Sequence, residues 1–260
     1  MLAGLTLIGG TGRLMSLAHF GEARTVGGGV ACLNASKPRL SHLIVRDNRT
    51  LGDSWGAGGG VYCSDSSDPT LTSCTITGNH ASTYGGGRYC FYSSPTLREC
   101  TIVGNDSKYQ GGGVDCYYSS ATLTDCAINA NSSWRQGGGV YSVDSAPSLT
   151  NCTIIGSSGV EDGGGLFLIR SSPRLFGCTI AGNSSTDNGG ALYCAGSSPI
   201  FTNCTITGNS AERDGDGLYL SSGDGSTFTN CIIWDNAQQE IFSLSGTTYF
   251  AFCDIEGGWE

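Results

Sequence analysis

His80 and Asp106 lie 26 residues apart, and so do the glycine triplets that begin at Gly85 and Gly111. If that interval is one structural repeat, the imidazole and the carboxylate are vertical neighbours about 5 Å apart, with Lys108 and Arg135 close by. A carboxylate beside an imidazole holds and orients it, as acid–base chemistry and serine-type hydrolysis both require. Asp106 separates His80 from Ser132 in such a column, so Ser107 or Ser82 would have to be the nucleophile. The commoner meaning of an exposed pair of this kind is an ordinary loop contact.

A second group uses the same interval. Ala31, Tyr62, Tyr89, Asp115, Tyr141, Phe167, Tyr193 and Tyr219 fall in one column, an aromatic stripe interrupted by a carboxylate. Trp55, Tyr84, Tyr109 and Trp134 approach it from loops, and Tyr117 and Tyr118 follow Asp115 directly. Flat π faces match the axial C–H faces of pyranose rings. On this reading Asp115 is the central acid or base, and Lys108 or Arg135 stabilises developing negative charge. Tyr62, Tyr89, Tyr117, Tyr118, Trp134, Tyr141 and Trp55 hold the substrate. The alternative is that the aromatic neighbours only stabilise one another across strands.

A third group, Glu161, Asp162, Asp187, Glu212, Asp214 and Asp216, sets carboxylates on consecutive loops. Acids at one-repeat spacing repel unless they are solvated or bridged by a hard cation. Calcium is the natural candidate at Asp162, Asp187, Asp214 and Asp216, with Asn188 as a neutral ligand, against a solvated acidic edge. No cofactor is otherwise required.

The elements that must position these groups are legible in the repeat itself. Triplets start at Gly27, Gly58, Gly85, Gly111, Gly137 and Gly163, then weaken to Gly189-Gly190-Ala191 and Gly215-Asp216-Gly217. Within Gly85–Tyr109, three short strands are read: Gly85-Gly86-Gly87-Arg88-Tyr89-Cys90, Ser94-Pro95-Thr96-Leu97-Arg98 and Cys100-Thr101-Ile102-Val103. Alternation sends Val61, Val114, Val140, Leu166, Leu192 and Leu218 inward, with Cys32, Cys63, Cys90, Cys116 and Cys194. A second inward column holds Cys74, Cys100, Cys126, Cys152, Cys178, Cys204 and Cys231, with isoleucines two positions later.

Thirteen cysteines invite a disulfide or metal reading. Neighbours one coil apart stack at about 4.8 Å, however, against a Cβ separation of about 3.8 Å in a disulfide, and no Cys-x-x-Cys pair occurs. They read as buried thiols filling the core. Asn48, Asn79, Asn105, Asn131, Asn183, Asn209 and Asn236, broken by Ser157, read as a structural ladder at a turn.

The chain carries 13 basic and 22 acidic side chains, a net charge of −9. The charge is graded, because residues 136–260 hold only 3 of the basic groups and 13 of the acids. Such a balance opposes general nucleic-acid binding and turns a polyanionic glycan toward the first half. No run of residues is long and apolar enough for a membrane span. One domain over residues 1–260 is expected. Residues 1–26 would form a partial first coil with a long loop or a capping helix at Arg13–Phe20, and 241–260 an atypical last coil. Leu5-Thr6-Leu7-Ile8 matches Cys74-Thr75-Ile76-Thr77, so the chain starts in mid-coil without an export signal, as a piece of a longer exported protein would. An uncapped end would also allow association with another copy.

Gly-Gly-Gly-Val-Tyr-Cys at 58–63, Ser-Ser-Pro-Thr-Leu at 93–97 and Asn-Cys-Thr-Ile-Thr-Gly-Asn at 203–209 resemble right-handed parallel β-helix repeat proteins, the pectate-lyase-like superfamily. The resemblance runs over nearly the whole chain. It implies an all-β, right-handed parallel β-helix solenoid of about eight to nine coils of three short strands. Relatives in that superfamily include polysaccharide lyases, glycoside hydrolases, pectin methylesterases and non-catalytic surface proteins, with substrate across the outer face of the first strand. The polygalacturonase signatures Asn-Thr-Asp and Gly-His-Gly are absent. The expected function is an extracellular or cell-surface hydrolase, esterase or lyase acting on a polysaccharide. The alternative is a non-catalytic adhesive module that binds a glycan or a protein.

Overall fold

The structure, a computed structural model, describes residues 1–16, 23–51 and 55–258. Strands pair in parallel from coil to coil and build a solenoid of about seven turns. Seven is the number of intervals between the eight glycine triplets. The eight to nine coils expected also counted the rungs at the two ends, Thr6–Ile8 and the strands between Ile241 and Ile255, which pair with the coil next to them.

Three sheets run along the solenoid. The first contains Val30–Cys32, Val61–Ser64, Arg88–Phe91, Val114–Tyr117, Val140–Val143, Leu166–Ile169 and Leu192–Ala195. The second runs through Thr96–Arg98 and its equivalents, and the third, of ten strands, through Thr101–Val103 and its equivalents. The long strand Leu218–Thr229 joins the first sheet to the second. A fourth, six-stranded ladder of two-residue strands, among them His80–Ala81, Asp106–Ser107 and Ser132–Ser133, was not expected. It follows directly after the asparagine column.

The triplets are glycine for a steric reason. Gly111 has φ of +63°, and an added Cβ would lie 2.5 Å from the Cβ of Asp115. At Gly112 it would lie 2.2 Å from the Ser132 carbonyl oxygen of the next coil. Side chains in the triplet would push the coils apart.

One continuous apolar cluster extends from Cys32 to Ile233 through the two inward columns. All thirteen cysteines are free, and twelve are buried. The thiols of Cys74, Cys100, Cys126, Cys152 and Cys204 each donate to the carbonyl two residues earlier, at 3.2–3.3 Å. They fill space and satisfy a backbone acceptor at once.

Two polar columns line the corners. Asn79 donates through Nδ2 to Asn105 Oδ1 at 2.9 Å and to the Val45 carbonyl at 2.9 Å, while Oδ1 accepts from the Asn48 amides. Asn105, Asn183 and Asn209 repeat the pattern. The second column was missed in the sequence: Ser67, Ser93, Ser119, Ser145 and Ser171 each give a backbone N–H to the hydroxyl one coil on, at 2.8–3.2 Å.

One local expectation is corrected. Arg13–Ser16 is a strand, not a helix, pairing antiparallel with Ala23–Val26, which in turn pairs with Gly56–Ala57. Strand pairing with Thr25 and Val26 overrides the helix propensity of Leu14 and Met15; residues 17–20 of that expected helix lie outside the described residues. Arg88 occupies the inward position held elsewhere by Val61 and Val114. It is fully buried, with Nη2 3.6 Å from Cys63 Sγ and no hydrogen-bond partner for Nε or Nη1. A hydrogen bond with Cys32 pushes the Cys63 thiol down, burial opposes this, and the Arg88 guanidinium adds to it.

Asn105→Ala strands the donors of Asn79 and the carbonyl of Ile76, and is expected to lower stability by about 2–4 kcal/mol. Thr101→Ala, on the half-exposed side of the same coil, should stay within about 0.5 kcal/mol; urea denaturation compares the two. Arg88→Met removes a buried charge from an apolar core and is expected to raise stability by about 1–3 kcal/mol, read in the same titration.

Candidate functional site

Asp115 stands at the centre of its strand on the outer side of the first sheet, in register with Tyr89 below and Tyr141 above. It is 1% exposed, and neither carboxylate oxygen has a hydrogen-bond partner. A cavity of about 310 Å³ adjoins it, lined by Arg24, Trp55, Tyr84, Tyr89, Phe91, Gln110, Tyr117 and Tyr141. Buried polar groups are nearly always paired, so an orphaned acid in the lining of an aromatic cavity is the strongest sign of a ligand site in the described residues.

The wall is positioned by three kinds of element. Tyr89, Phe91, Tyr117 and Tyr141 come from the first sheet. Tyr84 and Gln110 come from the bridges that precede consecutive triplets. Trp55 and Arg24 come from the small sheet of Ala23–Val26 and Gly56–Ala57, where the Arg24 guanidinium lies 3.8 Å over the Trp55 ring. Trp55 meets Tyr84 at 5.1 Å between centroids, and Tyr84 meets Tyr89 at 6.0 Å.

Burial pushes the Asp115 carboxyl well above the ordinary carboxylate range, and Cys90 adds to the shift. Burial therefore favours the neutral acid, which can donate one hydrogen bond and accept others. Burial also pushes the phenols of Tyr84, Tyr89 and Tyr141 up. The cavity presents neutral donors against π faces, with Arg24 on the wall as its cation.

The aromatic stripe differs from the exposed surface expected. Tyr62, Tyr89, Tyr141 and Phe167 are buried, and Tyr193 and Tyr219 half-buried. The cause is stacking. Tyr141, Phe167, Tyr193 and Tyr219 lie ring on ring at 5.2, 4.8 and 5.1 Å, so each covers the next. Tyr118 is exposed, stacked on Tyr92 at 4.9 Å, and Trp134 is 68% exposed on its loop; neither lines the cavity.

His80 and Asp106 pair in register, with Nδ1 2.5 Å from Oδ2. Both are on the surface, and neither they nor Lys108 and Arg135 line the Asp115 cavity. Lys108 and Arg135 instead flank the Tyr109 ring at 5.8 and 5.1 Å. The structure thus separates the residues expected to act together into two places. Ser107, one proposed nucleophile, gives its hydroxyl proton to the Gln110 carbonyl.

The carboxylates considered for calcium have donors of their own. Asp162 accepts from Asn188, Asp187 pairs with Arg213 at 3.0 Å, and buried Asp216 accepts from the N–H groups of Ala211, Gln238 and Gln239. Asp214 is half-buried on the loop before them. Among the described residues no group of three or more His, Cys, Asp or Glu side chains converges on a cation site. No helix there is long and apolar enough to cross a membrane.

The family model described as "Right handed beta helix region" matches residues 7–154 and 139–254. No curated protein and no solved structure matches the chain.

The buried acid sets a pH signature. Its folded-state pKa lies above the unfolded value of about 3.9, so between the two the unfolded chain has lost a proton that the folded chain retains. Stability from this group is full below about pH 4 and falls by about 1.4 kcal/mol per pH unit above it, until the folded pKa is passed. Asp115→Asn is expected to be more stable than the parent at pH 7, with the difference closing toward pH 4 in denaturation curves.

Proposed function

This chain belongs to the right-handed β-helix family, and on that footing we propose that it is an extracellular glycan-binding protein whose saccharide enters the Asp115 cavity. The observation that carries the reading is the buried, unpartnered Asp115 carboxyl among aromatic side chains. Aromatic faces take up the C–H faces of a sugar, and the neutral acid supplies the directional hydrogen bond that an apolar wall lacks. Arg24 and Gln110 add polar groups to the wall. A net charge of −9 argues against a nucleic-acid partner.

Catalysis is the second reading, and one observation favours it. A carboxyl kept protonated by burial is in the state a general acid needs, for hydrolysis of a glycosidic or ester bond or for β-elimination. Glycoside hydrolysis ordinarily uses two carboxylates, and among the described residues Asp115 is the only one lining the cavity. Binding is therefore placed first. His80, Asp106, Lys108 and Arg135 form a surface group apart from it.

A panel of plant, algal and microbial polysaccharides, tested by affinity electrophoresis and for released reducing ends or unsaturated products, distinguishes the readings. Binding without product is expected, weakened at least about tenfold by Asp115→Ala and unchanged by His80→Ala. Product formed by the parent and lost in Asp115→Ala would make the protein an enzyme. Retention of every glycan by Asp115→Ala would remove the site.

A further inference from the structure

The aromatic ladder on the outer face of the first sheet lacks one rung, and the cavity lies where that rung would be. From Tyr141 the rings continue through Phe167, Tyr193 and Tyr219 to Phe242 at 5.2, 4.8, 5.1 and 5.2 Å. On the other side Tyr62 stacks on Tyr89 at 5.7 Å. Between Tyr89 and Tyr141 the register position belongs to Asp115, whose side chain fills only the base of the gap. Its two oxygens are buried and without hydrogen-bond partners, and the residue lines the cavity.

The size of the gap limits what fits. Two inter-strand spacings of about 4.8 Å put the strands of Tyr89 and Tyr141 roughly 9.6 Å apart. A flat ring in ordinary contact with both, at about 3.5–4.0 Å each, accounts for only roughly 7–8 Å of that. A puckered saturated ring, with hydrogens standing off both faces, fills more of it. The volume of about 310 Å³ is ample for one such ring.

From this geometry we infer that the slot between Tyr89 and Tyr141 is a subsite for a single pyranose with all ring hydroxyls equatorial, the gluco or xylo configuration, held edge-on with a hydroxyl at Asp115. The inference rests on the glycan reading and narrows it. An all-equatorial ring carries C–H groups on both faces, which meet the electron-rich faces of the two tyrosines. An axial hydroxyl, as in galacto or manno sugars, would be pressed against a π face and lose its water with no partner in return. The hydroxyl edge is where such a ring is polar, and that edge meets the carboxyl of Asp115 and the carboxamide of Gln110.

Isothermal titration with gluco- and xylo-oligosaccharides against their galacto and manno epimers tests the inference. The gluco and xylo series are expected to bind at least about tenfold tighter. Asp115→Phe supplies the missing ring, and is expected to abolish this binding while raising the melting temperature. Asp115→Asn keeps the volume, and is expected to weaken binding about tenfold while preserving the order of preference. Equal affinity for the epimers would overturn the equatorial assignment and leave the glycan reading standing. Full binding by an Asp115→Phe protein with a raised melting temperature would overturn the slot. If no glycan of any configuration binds the parent, the glycan reading itself fails.

Discussion

Backbone amides in a coil find most of their partners in the coil above or below, because the extended strands of one turn have few to offer one another. This pairing fixes the inter-coil spacing, holds the repeat near 26 residues, and decides what each position tolerates. In the triplets an added Cβ would meet the coil's own next strand at a first position such as Gly111 and the neighbouring coil's carbonyl oxygens at second and third positions such as Gly112 and Gly113. The interior is narrow, so cysteine, valine and isoleucine fill it. The corners cannot complete the ladder with backbone alone, and there asparagine and serine side chains close the count.

Within that frame the outer face of the first sheet is a contest between continuity and interruption. Where rings succeed rings, each hides its neighbour and the face becomes part of the core. Where Asp115 interrupts them, the flanking tyrosines keep their places because strand pairing holds them, and the space cannot collapse. The cavity is thus made by strand spacing as much as by the residues that line it. The acid is neutral for the same reason it is alone: its nearest neighbours were placed by register and not by complementarity to it.

The parts of the fold that were legible in the sequence are those that depend on one coil and its copy. The inward columns, the free thiols and the asparagine ladder each repeat a single letter at a single interval, and the interval alone specifies the contact. What escaped depends on several unlike neighbours at once. The burial of Tyr62 and Tyr89 needs the rings of Tyr84 and Phe91 beside them, and the Asp115 cavity needs Arg24 and Trp55 from a strand pair read as a helix and a loop. The serine column was present in every Ser-Ser-Pro motif but looked like turn composition. Arg88 was visible as the one charged residue in an apolar column, a signal passed over in favour of the column's regularity. Asp115 was singled out by the same kind of break. Its separation from His80 was not, since position along the sequence says little about which side of a turn a side chain takes.

The asparagine column also has a direction. Each amide donates toward the following coil and none toward the preceding amide, from Asn48 to Asn131 and again, beyond the hydroxyl of Ser157, from Asn183 to Asn236. At the far end the Asn236 amide gives its proton to the Glu240 carboxylate, an anion set against the donor end of aligned dipoles. A column built this way is vectorial and has unlike ends. Each end is closed by a different group of the same chain, the Gly10 N–H at Asn48 and the Glu240 carboxylate at Asn236, so the stack keeps its polarity without handing its terminal donor or acceptor to a neighbour.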